Sequence, residues 1–114
     1  VTPDAERTMR TNLAVAAMLA DRHVPAATIA ASDWLYVEGY PLANPGTGQS
    51  AVRTALDAAR QAGTKVALTC SDAFIPEVFG DAFFAALKQS DLLFANAAEA
   101  QAVTKTGSVT DAFA

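Results

Sequence analysis

Short apolar runs set off by turn residues recur along the chain. Trp34-Leu35-Tyr36-Val37 follows Asp33 and stops at Glu38-Gly39, Val66-Ala67-Leu68 comes soon after Gly63, and Leu92-Leu93-Phe94 ends just before Asn96. Runs this short, continuous and bounded by turn signals, predict buried strands. Between the first two, Ala51, Val52, Ala55, Leu56, Ala59 and Ala62 recur at helical spacing while Arg53, Asp57 and Arg60 fall elsewhere. That is an amphipathic helix, and Gly63 closes it because glycine tolerates left-handed backbone. A helical region from about Pro76 to Lys88, interrupted near Gly80, precedes the third strand, and a last helix begins after Asn96. Alternating strands and helices imply right-handed crossovers, a parallel sheet and an α/β fold with helices packed on its faces.

The N-terminal part is less regular. Pro3-Asp4-Ala5 predicts a turn, because proline presets φ and aspartate bonds nearby backbone. From Arg7 to Leu13 large and polar residues roughly alternate, as in a partly exposed edge strand. The alanine-rich stretches Ala14 to Ala20 and Pro25 to Ala31 predict short helices. Three parallel strands make a thin sheet with edges to satisfy, and the chain opens at Val1 on a turn with no strand before it. Both features suggest an internal segment of a larger fold, and no second domain boundary or internal repeat is evident.

Composition narrows the function classes. At 114 residues and 52% apolar content the chain can build one globular core. Its longest apolar run, Leu13 to Ala20, falls well short of the roughly 20 residues of a membrane-spanning helix. A net charge of −4 with scattered lysines and arginines argues against a nucleic-acid partner held through phosphates. A lone cysteine, Cys70, with no signal-like N-terminus, fits a reduced, cytoplasmic setting and reads as inert packing.

In open parallel sheets ligands bind beyond the carboxyl ends of the strands. Glu38-Gly39-Tyr40, Ser71-Asp72 and Asn96 to Glu99 therefore share one rim, although polar residues must also follow any buried strand. Asn96-Ala97-Ala98-Glu99 has two readings. Asparagine at a helix start with glutamate three positions on forms a capping box, and spacing alone favours that reading. The functional reading has Asn96 and Glu99 positioning a hydrated magnesium ion and phosphate oxygens at a helix N-terminus. His23 has no second histidine near it and reads as solvated.

Phe94-Ala95 followed by Asn96-Ala97-Ala98-Glu99-Ala100 resembles the Asn-x-x-Glu motif of ribokinase-like (PfkB) kinases. Val1 to Met9 resembles the lid hairpin of adenosine kinase-like members, Leu35 to Tyr40 their next strand with its Glu-Gly-Tyr ending, and Ala58 to Leu68 the helix, glycine and strand before a Ser-Asp loop. The motifs occur in the family's order and span nearly the whole chain. The resemblance implies a three-layer Rossmann-like core, with residues 1–13 a lid remnant and residues 14–114 the central α/β segment. It also implies ATP-dependent phosphorylation of a sugar or nucleoside hydroxyl, magnesium and phosphate support from Asn96 and Glu99, and substrate approach by Arg7, Thr8 and Asn12.

Some residues depart from that pattern. Ala5 replaces the usual lid glycine, Thr69 stands where many relatives carry aspartate, and Ala97-Ala98 lack the acidic residues often found inside the motif. Phe79-Gly80-Asp81 superficially resembles the family's catalytic loop but precedes the Asn-x-x-Glu motif, so Asp81 is expected to N-cap a helix instead. With that loop missing, the expectation is an inactive segment that binds neither magnesium nor ATP tightly and that could form a homodimer. The rivals are a receiver-like regulatory module using Glu38 or Asp72, and a structural, oligomerising remnant; Asp33, which precedes its strand, argues against the receiver.

Overall fold

The computed structural model describes residues 2–4 and 12–112. Three strands, β1 (Trp34–Glu38), β2 (Lys65–Thr69) and β3 (Leu92–Phe94), form one parallel sheet in the order β1-β2-β3. The register pairs Trp34 with Lys65, Tyr36 with Ala67 and Glu38 with Thr69 between β1 and β2, and Ala67 with Leu92 and Thr69 with Phe94 between β2 and β3. The helices are α1 (Ala26–Ala30), α2 (Gly48–Ala62), α3 (Phe74–Val78), α4 (Gly80–Leu87), α5 (Ala97–Thr104) and α6 (Val109–Ala112). Mutual contacts link α1 to α2, α2 to α4, α4 to α3, α3 to α5 and α5 to α6, making a single helical layer.

That layer explains which residues are buried. Side chains alternate across a strand, so Leu35, Val37, Val66, Leu68 and Leu93 point one way and belong to or pack on the core, together with Leu42, Val52, Leu56, Ile75 and Phe83. On the opposite face Trp34, Tyr36, Leu92 and Phe94 stay exposed. The α/β class, the three strands and the crossovers agree with the pattern in the sequence. The expectation that β1 is a buried strand needs correcting, because among the described residues helices cover only one of its faces.

Local chemistry fixes the connections. Gly63 ends α2 at φ 75°, and Thr64 then donates its amide to the Ala59 carbonyl and its hydroxyl to the Ile29 carbonyl, joining the end of α1 to that of α2. At the start of β3, Asp91 donates its amide to the Val66 carbonyl (2.8 Å) and accepts the Val66 amide on its side chain (2.7 Å). At the other end the Cys70 amide donates to the Phe94 carbonyl (3.0 Å).

One local expectation holds in part and another fails. The short helix expected over Ala14 to Ala20 is a five-residue 3-10 helix, Ala14–Met18; Ala14 has a positive φ of 44°, and Val15 and Met18 find no core to pack on. Alanine favours helix, but short helices are marginal without a buried face. Asp81 is not the N-cap of α4. Phe79 caps both the C-terminal end of α3 and the N-terminal end of α4, and Asp81 sits in the first turn of α4, where its charge suits the helix dipole. The predicted edge strand lies mostly outside the described residues; Asn12 and Leu13, which are described, belong to no strand.

Candidate functional site

The parallel register brings Gly39, Cys70-Ser71 and Asn96 to the same rim. Gly39 is held closely there, since a Cβ on it would stand 2.2 Å from the Cys70 carbonyl oxygen. Its amide donates to the Ser71 hydroxyl oxygen at 2.8 Å. Ser71 adopts left-handed backbone, φ 68°, a conformation uncommon for a residue with a side chain. Thr69 accepts the Ser71 amide at 3.4 Å. The loops after β1 and β2 are thus tied to each other, and Cys70 ties the second to the end of β3.

Asn96 is extended (φ −78°, ψ 178°) and N-caps α5. Its Oδ1 accepts the Glu99 amide at 2.9 Å, while the Glu99 carboxylate accepts the Asn96 amide at 3.0 Å and the Asn96 side-chain NH2 at 2.9 Å. Glu99 is only 8% exposed, and no cation pairs with it among the described residues. Its charge reaches the neighbouring strand end: the Cys70 thiol is pushed up from its ordinary 9.0 to about 11, first by burial and then by the Glu99 carboxylate. Cys70 is therefore a neutral packing residue, as its sequence context suggests.

The first-turn amides of Ala97 and Ala98 have no intrahelical acceptor and are free to meet an anion. Each Glu99 oxygen accepts one hydrogen bond and keeps a lone pair. Among the described residues no group of three His, Cys, Asp or Glu side chains could hold a metal. A single carboxylate beside free amides suits a cation that keeps its water shell, not one stripped of it.

The other sequence candidates separate. Arg7 and Thr8 lie outside the described residues. Asn12 uses its side-chain oxygen to accept the Ala14 amide at 3.0 Å, and no hydrogen bond joins it to the rim. Asp72 accepts the Phe74 amide at the start of α3, so it serves a turn, and Glu38 is exposed, its carboxylate without a hydrogen-bond partner among the described residues. His23 is exposed, and its Nδ1 accepts the Ala20 amide. The Gly39–Ser71 tie was not anticipated; its partners stand 32 residues apart and neither residue type signals the pairing. A wide groove between α3, α4 and α5 carries Glu77 and Asp81 against Lys105, an acidic lining ill suited to phosphate.

Comparisons with known proteins point one way. A family model described as pfkB family carbohydrate kinase matches residues 1–114. The chain is similar to the crystal structure of adenosine kinase from Sinorhizobium meliloti, at 31% identity and TM-score 0.75 over 84% of this chain and 30% of that one. It is also similar to a probable sugar kinase protein from Rhizobium etli CFN 42, at 27% identity and TM-score 0.76 over 85% of this chain and 30% of that one. A PfkB protein from Polaromonas sp. JS666 shares the fold at 20% identity and TM-score 0.69, over 86% of this chain and 36% of that one. The chain thus spans about a third of the length of these solved structures. None of the curated proteins matches it.

Proposed function

Because the chain belongs to the pfkB family of carbohydrate kinases, we propose that it is the central segment of an ATP-dependent kinase that phosphorylates a sugar or nucleoside hydroxyl. The segment does not carry out that reaction alone. Its contribution is the rim at Asn96 and Glu99. The observation that supports this is the buried Glu99 carboxylate, fixed by two bonds from Asn96 at the start of α5 with no cationic partner among the described residues.

Phosphoryl transfer depends mostly on positioning and on neutralising charge. Magnesium bound with the nucleotide supplies that neutralisation in such kinases. Glu99 would hold the ion's water shell by accepting hydrogen bonds, Asn96 fixes the Glu99 orientation, and the Ala97 and Ala98 amides would donate to a phosphate oxygen. Aspartate-base chemistry and most substrate contacts would come from outside these residues. Neither Glu38 nor Asp72 supports the receiver-like alternative, since one is unpartnered and the other stabilises a turn.

Manganese, as a paramagnetic stand-in for magnesium, tests the assignment without requiring activity. It is expected to broaden the Ala97 and Ala98 amide signals selectively, and Glu99→Gln should abolish that broadening. Uniform or absent broadening overturns the role of Glu99. Calorimetric titration with magnesium-ATP is expected to show no tight binding and no phosphate transfer. Tight binding by the 114-residue chain would overturn the proposal that the segment is incomplete.

A further inference from the structure

The stretch that leads into α1 has little apolar anchorage. Leu13, Val15, Met18 and Leu19 are exposed, and no residue of the 3-10 helix Ala14–Met18 is buried. Its hold on the rest of the fold is polar. The Asn44 side-chain NH2 donates to the Ala17 carbonyl at 3.0 Å. Ala20, only 3% exposed, is where the stretch enters the core. There the His23 Nδ1 accepts the Ala20 amide at 3.1 Å, while the His23 amide donates back to the Ala20 carbonyl at 2.9 Å.

This reciprocal pair has the layout of a capping box around the short 3-10 helix Asp21–His23, with histidine at the position where glutamate or glutamine usually reaches back. The exchange of side chain changes the chemistry. A glutamine oxygen accepts at any pH, whereas an imidazole nitrogen accepts only while it carries no proton. A neutral His23 ring that accepts through Nδ1 must hold its proton on Nε2. The next proton then has one place to go, which is Nδ1, and it removes the acceptor from the Ala20 amide.

We propose that His23 is a pH-sensitive latch on this stretch. Neutral, it fastens Ala20 to the body of the fold; protonated, it releases Ala20 and leaves residues 12–20 held at Ala17 by Asn44. His23 is exposed, so protons reach it from solvent. The charges around it do not pre-empt the switch, since no carboxylate pairs with His23 among the described residues. On its own helix, Asp21 accepts the Arg22 amide. On α2, Asp57 and Arg60 bond each other, and Arg53 lines the groove toward α4. From β1, Tyr36 and Glu38 line the same apolar cavity of about 270 Å³ as His23, to which α1 contributes Ile29 and α2 Ala51, Val52 and Ala55. Glu38 is thus the carboxylate that a released imidazolium would face. The latch uses neither Asn96 nor Glu99 and stands apart from the kinase reading.

Nuclear magnetic resonance on the 114-residue chain tests the latch. At about pH 8 the ring nitrogens of His23 should report the proton on Nε2. Lowering the pH to about 5.5, across the range of imidazole titration, should cut protection of the Ala20 amide from solvent exchange about tenfold after correction for its intrinsic rate. The Thr64 amide, bonded to the Ala59 carbonyl, should keep its protection. His23→Gln should protect Ala20 at both pH values, and His23→Ala at neither. A proton on Nδ1 at the higher pH overturns the proposal, as does protection that ignores pH. A His23→Gln chain that follows the parent's profile also overturns it and assigns the change to Glu38 or Asp21. If circular dichroism shows that His23→Ala does not fold, the His23→Gln profile decides alone.

Discussion

Leu68 and Tyr36 lie on adjoining strands of one sheet, one pleat apart, yet Leu68 is fully buried and Tyr36 is 57% exposed. The strands are apolar on both faces, but α1 to α5 form a layer over only one of them. The contrast teaches that strand sequence reports the burial a sheet is built for, while burial itself depends on what lies above each face. A continuous apolar strand with one bare face is a sheet with an unfilled layer.

The sharpest way to break this comparison is to truncate one residue on each face. Leu68→Ala should cost about 2–5 kcal/mol in urea unfolding, because it empties a site with no room to relax. Tyr36→Ala, in dilute solution, should cost under about 0.5 kcal/mol. Equal costs would show that the two faces do not differ.

Gly39→Ala tests the rim where both faces end. The added methyl meets the Cys70 carbonyl, and overpacking of this kind costs about 1–3 kcal/mol, read as a lower urea midpoint with an unchanged slope. Asn96→Ala removes the cap of α5 and should cost about 1 kcal/mol, visible as lost helix signal. The smallest effect at neutral pH is that of Cys70. Its thiol titrates near 9.0 when unfolded and near 11 when folded, so the unfolded chain loses its proton first and stability should fall as pH rises between those values. Cys70→Ala should flatten that alkaline slope; an unchanged slope would assign it to other groups.

Much of the fold was legible because its signals are local. The apolar runs at Trp34, Val66 and Leu92 and the helical spacing from Ala51 to Ala62 follow directly from backbone geometry. The departures arose where neighbours decide the outcome. Ala14 to Met18 have helix-forming composition but no surface to bury, and Phe79 takes the cap position from Asp81 because α3 runs directly into α4. At the candidate site, the Asn96–Glu99 capping box was readable from spacing. The ion role proposed for it was not, because a capping carboxylate and an ion-supporting carboxylate are the same group with different company. The Gly39–Ser71 tie joins residues distant in sequence, so no local pattern could have announced it.

Asp91 gives the smallest strand an unexpected persistence. Three residues of β3 would ordinarily fray from the sheet by brief openings at either end. Here the Asp91 side chain takes the Val66 amide at one end and the Cys70 amide is bonded at the other. Under hydrogen exchange, those two amides should not trade protons through independent end openings. They should exchange together, at the rate at which β2 and β3 separate as a whole, which makes them a paired clock for the opening of the sheet.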